Sequence, residues 1–154
     1  MYKQVIEHDS KGKLMLSTIV EATQNFCIHQ IRIPHNTHDD ISKTRTLIAY
    51  IDIELQSGNK HRVYISADAD FIQRVSKIFL EEDESDEETL IDMILETTNM
   101  IVGSAKVLAE DSQSPYCIST PFFEKIGEFD FEYDDIKVIQ VENDKLTVAI
   151  KELN

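Results

Sequence analysis

Apolar residues recur along this chain with two different periods, and the switches between them divide it into elements. The clearest stretch spans residues 89–110, which contain no proline and a single glycine, Gly103. At about 100° per residue, Ile91, Ile94, Leu95, Thr98, Val102 and Ala105 fall within roughly one third of a helical circumference. That stripe predicts one long helix with this face in the core. Phe71, Val75, Ile78 and Phe79 recur at the same spacing and predict a second helix, from Asp68-Ala69-Asp70 through Leu80. Residues 14–25 predict a third, with Leu14, Leu16, Ile19, Val20 and Ala22 apolar, although Thr18, Ile19 and Val20 also suit a strand.

Elsewhere the period is two. Residues 46–56 are strong strand formers, Ser57-Gly58-Asn59 makes a turn, and residues 61–66 return as the hairpin partner. Phe26, Ile28, Ile31 and Ile33 predict an extended segment that ends at Pro34, and the polar residues 35–43 read as a loop. Past the long helix, residues 112–115 form a loop and residues 116–119 a short strand that stops at Pro121; Phe122-Phe123 follows, and Gly127 breaks the segment. Residues 129–133 and 136–141 are strand-like, and residues 142–145 turn the chain into a last strand over 146–153. The sum is an α+β fold, a mostly antiparallel β-sheet with two long helices packed on one face. Residues 1–154 make one domain, with 1–13 as an N-terminal extension.

Composition narrows the function. A chain of 154 residues, 42% hydrophobic and 29% charged, can bury a core. Its apolar runs are too short to span a bilayer and its start has no signal-peptide pattern, which implies a cytoplasmic protein. Cys27 and Cys117 stand apart and read as buried free thiols. A formal net charge of −14 argues against nucleic acid and anionic membrane surfaces as partners, and permits a basic protein patch. The acidic run at 81–88 reads as a solvated connection and helix start, where acids suit the helix dipole. Four isolated glycines supply no phosphate loop. His35 and His38 have a metal-compatible spacing but sit in a polar stretch without cysteine, and no metal site is assigned.

One polar pattern remains. Asp92, Glu96 and Asn99 follow i, i+4, i+7 and form a second stripe, roughly 100° from the apolar one and about 60° wide. Gly103 continues it. Alone, these residues read as a solvated helix edge or as an accessible face offering a carboxylate, a carboxamide and a gap. A glycine inside a helix costs about 1 kcal/mol against alanine, so Gly103 calls for a packing or docking reason.

The run Asp92-x-x-x-Glu96-x-x-Asn99-Met100-x-x-Gly103, with Pro121 22 residues beyond Asn99, resembles the signature of the CheC/CheX/FliY phosphatase family. Only one such signature occurs, since Glu21-x-x-x-Asn25 has the wrong spacing, and the chain is therefore most similar to single-site CheX. The resemblance covers residues 26–154. It implies a CheX-like fold, a homodimer whose sheets join at the interface, and hydrolysis of the aspartyl phosphate of a phosphorylated CheY-like response regulator. It implies no cofactor bound by this chain, with Mg²⁺ supplied by the response regulator. Glu96 and Asn99 would be the catalytic residues, Glu96 pairing with the active-site lysine of the receiver and Asn99 orienting the attacking water. Asp92, Gly103 and Pro121 would belong to the partner-binding surface: Asp92 would contact the receiver or hold the helix edge, Gly103 would allow close approach, and Pro121 would shape the strand end that borders the site. Thr97-Thr98 stand where the family commonly has glycine before the asparagine. The other reading is a non-catalytic response-regulator-binding or flagellar-switch adaptor of the same fold.

Overall fold

The structure is a computed structural model that describes residues 15–153. The expectations for residues 1–14 lie outside the described residues. The strands are β1 (His35–His38), β2 (Thr46–Leu55), β3 (Lys60–Asp68), β4 (Tyr116–Ile118), β5 (Phe122–Gly127), β6 (Asp135–Val141) and β7 (Asp144–Glu152). The helices are α1 (15–26), α2 (Ala69–Leu80) and α3 (Glu87–Asp111). All strand pairs are antiparallel, in the order β1-β6-β7-β3-β2-β4, with β5 also on β2. The α+β architecture with helices packed on one face is the one the periodicity predicts.

β2 and β3 are interior strands, paired on both edges, and their sequences suit cover on both sides. Leu47, Ala49, Ile51 and Ile53 of β2 join Val63, Ile65 and Ala67 of β3 in the main core beneath the helices. On the opposite face Ile48 and Tyr64 pack with Ala149 and Phe129 in a second, smaller core. A strand buried on both faces reads as a continuous apolar run rather than an alternation. The hairpin between them closes through Gly58, whose φ of +93° suits glycine. Gly58 N–H donates to Leu55 O at 2.9 Å.

Three segments differ from expectation. Residues 26–34 are not extended: α1 runs on into a π-helical turn, Cys27–Ile31, which ends at Arg32 in the left-handed region. Cys27 and Ile31 are buried while Ile28 is 54% exposed, so the burial period is four. Residues 35–38 are not loop but edge strand β1, paired with β6 from His35–Val141 to His38–Val138. Residues 129–133 are not a strand; they cross the outer sheet face as a strap. Phe131 stacks on Tyr64 with centroids 4.8 Å apart, and Phe129 meets the same ring edge-on at 5.5 Å. Alternating aromatics suit a strand, yet here they cover a sheet face without joining its ladder.

The cysteines also part company. Cys27 is buried, and burial pushes its thiol up to about 11. Cys117 is exposed, because its strand β4 is a three-residue edge strand with one face open. No helix among the described residues is long and apolar enough to cross a membrane.

Candidate functional site

α3 carries the stripe that the sequence singles out. Its start is fixed at Asp86, whose Oδ1 accepts from Thr89 N–H at 2.8 Å. That hydrogen bond holds the Asp86 carboxyl below its usual range. The acidic connection before it is tied down by Gln73 of α2, which donates through Nε2 to Glu82 O (3.0 Å) and accepts from Ser85 N–H (2.8 Å). The helix then follows β2. Arg45 meets Glu87 at 3.8 Å at one end. At the other end Leu55 and Gln56 share a cavity of about 190 Å³ with Ala109 and Ser112. The middle of α3 therefore lies over the middle of β2.

The buried face is Met93, Ile94, Thr97, Thr98, Ile101, Val102, Ala105 and Ala109. It is turned from the predicted stripe toward Met93, Thr97 and Ile101, and Ile91 and Leu95 are only half-buried. α2 packs on α3 as well as the sheet does, so the covered arc is wider than one sheet contact requires. With this centre, the polar stripe lies about 170° from the core rather than about 100°, and points straight away from it.

Asp92, Glu96 and Asn99 are all exposed, and none makes a hydrogen bond or ion pair among the described residues. Glu96 and Asn99 are one turn apart, about 4.5 Å along the axis, so both can reach a single target group. Gly103 continues the ridge, half-exposed. A Cβ there would meet nothing within 4 Å beyond the helix's own backbone, so the described residues offer no packing reason for glycine. Pro121 lies on the half-buried link between β4 and β5. Ile118 pairs with Ile53 and Phe122 with Tyr50, which sets Pro121 beside the middle of β2. Ser119 staples that link, its Oγ accepting from Asp52 N–H at 3.0 Å.

Lys106 and Val107 lie outside the i, i+4, i+7 stripe. Both border Gly103 on its C-terminal side, one to either hand, and the i+3, i+4 rule applied to that glycine finds them. His35 and His38 do not converge: three apart on a strand, they point to opposite faces, and His38 Nε2 is 2.7 Å from Gln140 Oε1. Among the described residues no group of three or more His, Cys, Asp or Glu is placed to hold a metal ion.

This is an α+β protein whose candidate chemistry stands on the convex outer face of a helix, not in a cleft, a shape suited to entering another macromolecule's site. The family described as chemotaxis phosphatase CheX matches residues 50–141, a span that includes Asp92, Glu96, Asn99, Gly103 and Pro121. The chain belongs to the CheX family of chemotaxis phosphatases. No curated protein matches it in sequence. Among solved structures it is similar to the chemotaxis protein CheX of Vibrio vulnificus, at 16% identity and a TM-score of 0.72 over 89% of this chain and 99% of that one. It is similar to CheX in the CheX–CheY–BeF₃–Mg²⁺ complex of Borrelia burgdorferi, at 14% identity and a TM-score of 0.64 over 89% and 97%. FliY of Thermotoga maritima follows at 15% and 0.52 over 86% and 83%. At such identities the likeness carries the fold.

Proposed function

We propose that this protein hydrolyses the aspartyl phosphate of a CheY-like receiver, with Glu96 and Asn99 as its catalytic residues. The observation that carries this is the pair itself: an exposed carboxylate and carboxamide, one turn apart on a clamped helix, with no partner among the described residues. An acyl phosphate is already activated, so the visiting protein need only place a water in line and hold the two proteins together. A carboxamide suits the water, because it can accept from one O–H and donate to a lone pair without adding charge beside a phosphoryl group. Asn99 takes that role. Glu96 pairs with the lysine of the receiver's active site, which sets the register of the complex and keeps a cation between carboxylate and phosphoryl group.

Asp92, Gly103 and Pro121 belong to the docking surface. The Borrelia complex contains Mg²⁺ together with CheY, which supports a receiver that brings its own metal. A homodimer working in the cytoplasm, and no nucleic acid or membrane as partner, complete the proposal. The test is phosphate release from a panel of acyl-phosphorylated receivers of the same cell, with wild-type protein and Asn99→Ala. Faster decay of one receiver, lost in the variant, is the expected result. Binding without acceleration of any receiver would overturn it in favour of an adaptor.

A further inference from the structure

On a helix the nearest surface neighbours of residue i are i−4, i−3, i+3 and i+4. For Gly103 these are Asn99, Met100, Lys106 and Val107, of which Asn99 and Val107 are exposed and Met100 and Lys106 half-buried. The missing side chain leaves a gap between them, a shallow recess on the helix surface: among the described residues a Cβ at 103 would meet nothing within 4 Å beyond the helix's own backbone. Side chains on a helix lean toward its N-terminus, so Lys106 borders this recess from the C-terminal side without filling it, no atom of it lying within 4 Å of where a Cβ at 103 would stand.

Lys106 is the only basic residue in Glu87–Asp111. It is also the only half-buried lysine or arginine among the described residues with no hydrogen bond or ion pair, although Glu110 stands one turn on. In a chain of net charge −14, a half-buried cation left unpaired beside a bare recess is placed for an acid from outside.

We infer that the recess around Gly103 seats one side chain of the receiver, and that Lys106 pairs there with a carboxylate on the receiver's surface. This rests on the receiver function proposed above. Glu96 and Lys106 are then opposite charges about 15 Å apart on one rigid rod. A receiver carrying the complementary pair can lie along α3 in only one direction, because the reversed pose sets like charges together.

The experiment uses the full chain and the receiver it dephosphorylates fastest, with Lys106→Glu, Lys106→Arg and Gly103→Leu. Binding is also measured to that receiver with and without beryllofluoride. Lys106→Glu should raise KM about tenfold with kcat unchanged, and weaken both receiver forms equally. Lys106→Arg should return KM to within about twofold of wild type, because the charge is kept. Gly103→Leu should raise KM without lowering the thermal midpoint, leucine being the better helix former. A Lys106→Glu KM equal to wild type, with wild type active, overturns this inference alone. A loss confined to the beryllofluoride form overturns it too, by assigning Lys106 to the phosphoryl group. If wild type neither binds nor hydrolyses any receiver, the receiver function falls and this inference with it.

Discussion

On one face of α3, Ile94, Thr98, Ile101, Val102 and Ala105 are buried against sheet and neighbouring helix, while on the other Asp92, Glu96 and Asn99 have no hydrogen bond or ion pair among the described residues and Gly103 faces open space. Packing accounts for nearly every residue of the first face. Even Thr98, beside the asparagine, is satisfied internally: its Oγ donates to Ile94 O at 2.8 Å. Packing accounts for no residue of the second. A carboxylate and an amide without local partners, next to an open glycine in mid-helix, contribute nothing that solvent-facing alanines would not. The contrast separates residues that packing accounts for from residues left to solvent, which the proposed docking would use.

The sharpest way to break this contrast is Asn99→Ala. It should reduce receiver dephosphorylation at least about a hundredfold, the scale seen when one transition-state hydrogen-bonding group is removed. Its thermal midpoint should not fall, since alanine favours helix. Phosphate release and calorimetry on one preparation check both halves. Ile94→Ala is the converse: a fully buried side chain is lost, and urea unfolding should show a drop of about 3 kcal/mol. Folded Ile94→Ala should keep its kcat. Glu96→Ala should weaken receiver binding about tenfold, measured by titration at low and high salt, with the difference shrinking as salt rises. Gly103→Ala should stabilise the chain by about 1 kcal/mol, the opposite sign from a glycine needed for internal packing.

The smallest effect concerns the start of the helix. Asp86 has a carboxyl depressed by its bond to Thr89 N–H, so its contribution to stability is present above the ordinary aspartate value and is lost as pH falls through the depressed one. Asp86→Ala should therefore lower the thermal midpoint at neutral pH and leave it nearly unchanged in strong acid. Equal losses at both pH values would sink that assignment.

The elements that could be read in the sequence are those whose partner is local or whose period is unambiguous. α3 shows its period over seven turns, and the β2–β3 hairpin carries its own turn at Gly58. The three segments that depart from the sequence pattern share a different cause. Phe26, Ile28, Ile31 and Ile33 fit both a strand and a turn of helix, and contact with α2, where Phe26 stacks on Phe79 at 6.4 Å, decides for the helix. β1 is a polar edge strand, made by ladder hydrogen bonds to β6 a hundred residues away, which leave no hydrophobic mark. Phe129 and Phe131 alternate like strand residues but are claimed by Tyr64 across the sheet.

The candidate site divides in the same way. Spacing alone determined that Asp92, Glu96, Asn99 and Gly103 share one face, because helical geometry is fixed by the backbone and needs no partner. Only the tertiary structure decided where that face points. Adding α2 to the sheet contact turned the buried arc toward Met93, Thr97 and Ile101, and so set the ridge opposite the core. It also decided that, among the described residues, nothing fills the space above Gly103 and Lys106 has no partner. A one-dimensional pattern states which residues are neighbours on an element; what covers that element depends on contacts far apart in the chain.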